Sequence, residues 1–293
     1  MPTSAPQEAA RYVSHTRITD PGRMSALYTD LPEDIEGLVQ VIQGLFLHIH
    51  WAQRYGVTPS EAQKRHVQTR MVSRILETIT ELDDSPLTTP RPFEKRFYGN
   101  CRDYSVFLCS ILRGKGVPAR ARCGFGTYFR PDHYEDHWVC EYWSGERWVV
   151  VDAQLDELQR GRLKIDWNTL DLPKGRFVNA SEGWLRCREG GEDPDKFGIF
   201  DMHGLWFIEG NLLRELAACN DAEMLPWDGW GFMTDEVGDG ADTDARKLLL
   251  AERYALLDKV ARALIEGDEE KITSLYRNEP GLSVPKEMIV AGL

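Results

Sequence analysis

Residues 99–126 read GNCRDYSVFLCSILRGKGVPARARCGFG, and the fold turns on how this stretch is arranged. Gly99 and Asn100 form a turn signal, and Asn is a strong N-cap residue because its side-chain oxygen accepts from a first-turn N–H. Asp103, at the third helical position, suits the positive end of a helix dipole. The apolar run VFLCSIL follows, and RGKG at residues 113–116 supplies a stop. The spacing predicts a helix from Asn100 or Cys101 to that stop, feeding a strand-like ARARCGFGTYF. Cys101 falls in the first turn, where backbone N–H groups lack intrahelical partners and the partial positive charge favours a thiolate. The same N–H groups suit an oxyanion on an attacked carbonyl. Cys109, inside the apolar run, reads as core packing.

A nucleophilic thiolate needs a base and a group to orient that base. Residues 135–156, EDHWVCEYWSGERWVVVDAQLD, offer both. Two aromatic and β-branched runs flank Ser144 and Gly145. A two-residue loop there pairs Trp143 with Glu146 and sets His137 opposite Asp152 on one face, with Cβ atoms about 4.5–5.5 Å apart. A three-residue loop pairs His137 with Ala153 instead.

The 293-residue chain is long enough to bury a large core. Its formal charge of −12 and the lack of a Lys/Arg cluster argue against nucleic acid or an anionic membrane surface as a partner. No basic-then-apolar start marks a secretory signal, and LVQVIQGLFLHIHWA is too short and polar to span a bilayer, so a cytoplasmic location is expected. The six cysteines (Cys101, Cys109, Cys123, Cys140, Cys187 and Cys219) are scattered and include no CxxC pair, which predicts reduced thiols, no disulfide framework, no metal and no cofactor.

Residues 1–30 read as a partly irregular arm. Ile35, Leu38, Val39, Ile42, Leu45, Phe46 and Ile49 have helical spacing. A second helix, capped at Thr58 or Ser60, runs through Val67, Met71, Val72, Ile75, Leu76 and Ile79 to the Pro-rich LDDSPLTTPRP. Downstream lie a short helix from Asn211, a long helix from Asp242 through Leu248, Leu249, Tyr254, Leu257, Val260 and Leu264, and a shorter one around residues 269–276. The order is helices, a helix feeding antiparallel strands, then helices, which predicts an α+β class. The expected organisation is an arm (1–30), a catalytic domain with a helical N-terminal part (31–235) and a C-terminal helical extension (236–293).

These pieces resemble the transglutaminase-like superfamily, which carries a Cys–His–Asp triad on a papain-like α+β core. The phrases that carry the resemblance are GNCRDYSVFLCSILRGKGVPARARCGFG, DHWVCEYW and RWVVVDAQLD, over roughly residues 98–154. Cys101, His137 and Asp152 match the three catalytic positions. The resemblance implies a helix carrying the cysteine packed on an antiparallel sheet, and acyl transfer on an amide or carboxamide through a Cys thioester. The product is then hydrolysis (amidase or peptidase) or transglutaminase-type amide exchange, on an amide-containing small molecule, peptide or protein. The stretch is also similar to peptide:N-glycanase, but the cysteine pairs that hold zinc in that branch are missing here. Flanking β-sandwich domains and a calcium-ligand loop are missing too, and the flanks read as elaborations of a bacterial-type subgroup. The alternative is a non-catalytic binding or scaffold protein on the same fold.

His48 and His50, if helical, lie about 200° apart and cannot share one metal from one face. His133 and Asp136 read as a loop beside His137. Residues 197–230 are rich in aromatic residues. Trp206, Trp227 and Trp230, with Asn211, Arg214, Glu215 and Asp228, are candidates for a cleft wall, against the plainer reading that the tryptophans fix the segment to the core. Arg102, Asp136, Trp138, Trp206, Arg214 and Trp230 are the candidate substrate-binding residues. Arg102 equally suits a pairing with Asp103 or Asp136.

Overall fold

The computed structural model describes residues 7–234 and 244–290. The expected helix start at Asp242 and the expected boundary at residues 235–236 fall outside them. The chain divides into two compact units. The first holds the residues up to Arg122 together with Trp138–Lys174; the second holds Cys123–His137 and the residues from Gly175 on.

In the first unit, α1 (Gln7–Ala10) opens a segment of short 3-10 turns that is well packed: Tyr12, Ile18 and Thr19 are buried. The Ile18 carbonyl accepts from Val72 N–H at 2.8 Å. Asp34 caps α2 (Ile35–Leu45) by accepting from Gly37 N–H at 2.8 Å. The predicted helix continues to Ile49, but the chain turns extended at Phe46. Tertiary packing overrides the helical spacing here. The Phe46 ring packs against Phe97, Tyr104 and Phe107, with centroids 4.9–5.2 Å apart. Residues Phe46–His48 form β1, parallel to β2 (Phe97–Gly99), with His48 opposite Gly99. His48 therefore ends a strand, and its Nδ1 accepts from His50 N–H at 3.3 Å at the start of a 3-10 turn. The helical premise for this histidine pair does not hold.

The second predicted helix is two. Ser60 caps the single turn α3 (Glu61–Lys64) in a reciprocal capping box with Gln63, while α4 (Val72–Leu82) carries the apolar stripe Val72, Ile75, Leu76 and Ile79. The Pro-rich connector after it wraps around the buried Arg91 guanidinium, which donates to the carbonyls of Asp83, Ser85, Pro86 and Thr89. The central helix is α5 (Cys101–Gly114), buried at every position from Cys101 to Arg113. Its end is tied on both sides: Arg113 Nε donates to Ala119 O at 2.8 Å, and Nη1 to Thr19 Oγ1 at 2.9 Å.

Strands β3 (Ala119–Gly126) and β4 (Tyr134–Trp143) are neighbours and contribute residues to both units. Strand β5 (Trp148–Val151) pairs antiparallel with β4, but not in the predicted register. Trp143 opposes Trp148, not Glu146, and Cys140 opposes Val151. The loop has four residues, 144–147. Ser144 closes it: its N–H donates to Arg147 O at 3.0 Å, and its Oγ accepts from Glu146 and Arg147 N–H at 3.3 and 3.2 Å. The edge-on Trp143–Trp148 pair, with centroids 5.8 Å apart, holds the last rung. After β5 comes α6 (Glu157–Leu163), capped by Asp156.

The second unit has the strand order β6–β3–β4–β7–β8, where β6 is Phe177–Asn179, β7 Phe197–Ile199 and β8 Met202–His203. Strand β7 runs parallel to β4. The α+β class holds, but the sheet is mixed where an antiparallel one was expected. Around it pack α7 (Ala180–Arg188), α8 (Leu205–Ala218), α9 (Asp244–Glu266), α10 (Glu269–Asn278) and α11 (Lys286–Val290). Helix α8 starts six residues ahead of the predicted Asn211, after Gly204 in a positive-φ conformation. On α9, Leu257, Val260 and Leu264 join the core as read, whereas Leu248 and Leu249 are exposed. Two polar ties cross this core: Trp184 Nε1 donates to Asp258 at 2.7 Å, and Ser181 N–H to Glu215 at 2.7 Å. Among the described residues, no helix is long and apolar enough to cross a membrane.

In the first unit, Glu141 of β4 accepts from Arg120 Nε (2.8 Å) and Arg122 Nη1 (3.0 Å). Burial pushes its carboxyl up, but the two guanidinium groups outweigh that and hold it at about 2, below the ordinary 4.5. A carboxyl depressed in the folded state contributes stability that is present above its unfolded pKa and is lost as pH falls through the folded one. Glu141→Gln is therefore expected to lower the melting temperature at pH 7, with the gap to the parent closing between about pH 4.5 and pH 2. A gap independent of pH in thermal melts would contradict the assignment.

Candidate active site

Cys101 is the first residue of α5 and 8% exposed. The helix start is held by a complete capping box: Asn100 Oδ1 accepts from Arg102 N–H at 2.9 Å, and Asp103 Oδ2 accepts from Asn100 N–H at 2.9 Å. Ser105 Oγ donates to Cys101 O at 2.9 Å. Position and cap agree with the reading from sequence.

Arg102 is turned into the interior of the first unit. It is fully buried, with Nη1 3.0 Å from Asp103 Oδ1 and Nη2 donating to Arg70 O at 2.8 Å. Burial pushes the Asp103 carboxyl up to about 6, with the Arg102 charge pulling the other way. The Asp103 pairing that the sequence allowed is realised, and the guanidinium fixes the helix start.

Asp152 follows β5 and is 1% exposed. Its N–H donates to Thr169 O at 2.9 Å, and its Oδ1 accepts from Gln154 N–H at 3.0 Å, an Asx turn that fixes the carboxylate. The chain beyond it is tied down by a polar relay that sequence reading missed. Gln154 Nε2 donates to Gln159 Oε1 (3.0 Å), Gln159 Nε2 to Tyr55 OH (3.2 Å), and Tyr55 OH to Asp156 Oδ2 (2.6 Å). The Asp-Ala-Gln-Leu-Asp spacing carried the local half of that signal. Its Tyr55 partner lies about a hundred residues away in sequence and left no local mark. Trp138 is buried in this unit, with no hydrogen-bond partner for its Nε1 among the described residues.

His137 is the last residue of β4 in the second unit and is buried. The rings of Tyr128 and Phe129 meet its imidazole edge-on, 5.9 and 4.9 Å away; these two residues were also missed. Continuing the β4–β5 register by one step places Val139, not His137, opposite Asp152. His137 lies two residues earlier on the same face of β4, because the register differs from the prediction by two and side chains alternate with period two.

Asp136 lies in β4, not in a loop. Asn211 Nδ2 donates to its Oδ1 at 2.7 Å, and Arg214 Nη1 donates to Asn211 Oδ1 at 3.1 Å, while Arg214 Nη2 reaches Asp228 O at 3.0 Å. Burial raises the Asp136 carboxyl, with the Asn211 bond opposing. Asn211 and Arg214, read as cleft-wall candidates, and Asp136, read as a substrate-binding candidate, are thus joined to one another inside the second unit. Trp230 is core: it is 2% exposed and donates to Leu282 O at 3.2 Å. Trp206 and Trp227 remain exposed, at 62% and 46%.

Arg102→Met is expected to destabilise the protein by about 3–5 kcal/mol, because it leaves Asp103 buried without its counter-charge. Urea unfolding checks this; a variant as stable as the parent would return Arg102 to the list of substrate contacts.

Residues 50–153 match the family model described as the Transglutaminase-like superfamily. No curated protein matches the chain. Among solved structures, the chain is similar to "a Putative Cysteine Protease from Cytophaga hutchinsonii", with 16% identity and a TM-score of 0.34 over 61% of this chain; it spans 50% of that chain's length. The family match contains Cys101, His137 and Asp152 and covers the helix, strands and hairpin on which the resemblance was read. Over residues 50–153, the chain carries a transglutaminase-like core.

Proposed function

We propose that the protein is a cysteine-dependent enzyme that transfers acyl groups from an amide or carboxamide through a thioester on Cys101. The observation that carries this reading is the placement of Cys101 as the first residue of a fully capped, buried helix inside the transglutaminase-like match. Cys101 Sγ attacks the carbonyl carbon and an S–C bond forms. The carbonyl electron pair moves to oxygen, giving an oxyanion that the positive end of α5 favours. His137 holds the thiol proton and delivers it to the departing amine as the C–N bond breaks. Water or a second amine then attacks the thioester, His137 takes its proton, and Cys101 leaves as the thiolate. Asp152, its carboxylate fixed by the Gln154 N–H, orients the imidazole and stabilises its charged form.

The acyl donor is an amide-containing small molecule, peptide or protein. Trp206, exposed at the start of α8, is the candidate that remains open as a substrate contact. The Asp136–Asn211–Arg214 chain is better suited to stiffening the strand that carries His137.

Iodoacetamide near neutral pH is expected to modify Cys101 well before Cys109, Cys123, Cys140, Cys187 and Cys219, as followed by peptide mass spectrometry. Cys101→Ala is expected to abolish acylation by p-nitrophenyl acetate, and Asp152→Asn to slow it by about 10²–10⁴-fold. Uniform slow labelling of all six thiols, with full acylation in the Cys101→Ala variant, would favour the scaffold reading.

A further inference from the structure

We infer that Asn100 is a catalytic residue in its own right: its side-chain Nδ2 donates a hydrogen bond to the oxyanion formed when Cys101 is acylated. The inference rests on the reading of Cys101 as the nucleophile and adds a second donor, supplied by the residue that caps the same helix.

The capping box pairs every polar group of Asn100 but one. Asn100 is 5% exposed. Its N–H donates to Asp103 Oδ2, and its carbonyl accepts from Asp103 N–H at 3.0 Å. Its Oδ1 accepts from Arg102 N–H. That last bond fixes which end of the amide is oxygen, since only the oxygen accepts from an N–H. Nδ2 carries two donors and has no hydrogen-bond partner among the described residues.

A buried donor without an acceptor costs free energy, and in native proteins such groups are few and call for an explanation. Capping alone does not provide one. Ser, Thr and Asp cap as well as Asn through a single oxygen, and none of them carries the amide's extra donor. Because Nδ2 is bonded to the same carbon as the pinned Oδ1, the cap holds it at the mouth of α5, beside the residue that bears the nucleophile. Donors held rigidly where negative charge develops are what acyl-transfer sites require. The amide moves no proton. Its N–H donates to the carbonyl oxygen and stabilises the negative charge that collects there while the S–C bond forms, until the C=O re-forms and the leaving group departs.

Two reagents separate this role from a structural one. p-Nitrophenyl acetate acylates Cys101 through a tetrahedral oxyanion and expels p-nitrophenolate; iodoacetamide alkylates the same sulfur by displacing iodide and forms no oxyanion. Asn100→Ser and Asn100→Asp both keep a capping oxygen, so if one variant folds poorly the other carries the test. In the folded variant the acylation rate constant is expected to fall at least about tenfold while alkylation stays within about twofold, consistent with losing one preorganised oxyanion donor. An unchanged ratio of the two rate constants, or an equal fall in both, would overturn the inference while leaving Cys101 as the nucleophile. Slow reaction of Cys101 with both reagents in the parent protein would instead defeat the nucleophile reading and this inference with it.

Discussion

The start of α5 depends on a buried charge. Asp103 binds the N–H of Asn100 through one oxygen and the Arg102 guanidinium through the other. Arg102 also holds the Arg70 carbonyl. Two charges removed from water are tolerable only when their remaining hydrogen-bonding capacity is met. Here it is met by backbone that fixes where the helix begins. Cys101 is the residue between cap and ion pair, so its neighbours on both sides set its position. A thiol that must reach a carbonyl gains from this arrangement, because first-turn geometry does not have to be rebuilt during reaction.

The second constraint is the alternation of side chains along β4. The strand carries Asp136, bound to Asn211, next to His137, packed on Tyr128 and Phe129. Further along, it carries Glu141, clamped by Arg120 and Arg122. A polar group buried on a strand must find its partner in a neighbouring element. These partners come from β3 and α8, and each fixes one point on the strand. The imidazole is the residue of this series placed against aromatic edges, which limits the orientations of its ring.

How much of this was legible depended on how local each determinant is. Asn100 and Asp103 form a cap within four residues, so the helix, its start and its stop could be read directly. The three strands could be read from β-branched and aromatic runs. The end of α2 could not, because Phe46 and Ile49 keep helical spacing and only the rings of Phe97, Tyr104 and Phe107 draw the chain into β1. Asp136 looked like part of a solvated loop because RPDHYED is polar; its partner Asn211 lies 75 residues away in sequence. Composition marked the tryptophans of residues 197–230 as a group but not which would be buried. Trp230 went to the core and Trp206 to the surface. Arg102 suited two acidic partners in sequence, and its pairing with Asp103 inside the first unit could be seen only from its burial.

The four-residue loop at the tip of the β4–β5 hairpin has a consequence for change in this chain. Both the expected loop and the observed one are even in length, and the face on which Asp152 stands is the same for either. The hairpin behaves like a parity check. Residues added within the loop itself leave the two faces untouched, so the tip is free to vary. A single residue inserted inside either strand, between the tip and His137 or Asp152, turns the outer side chain to the opposite face of the sheet. Length variation in this region should therefore accumulate at residues 144–147 and be excluded from the few residues on either side.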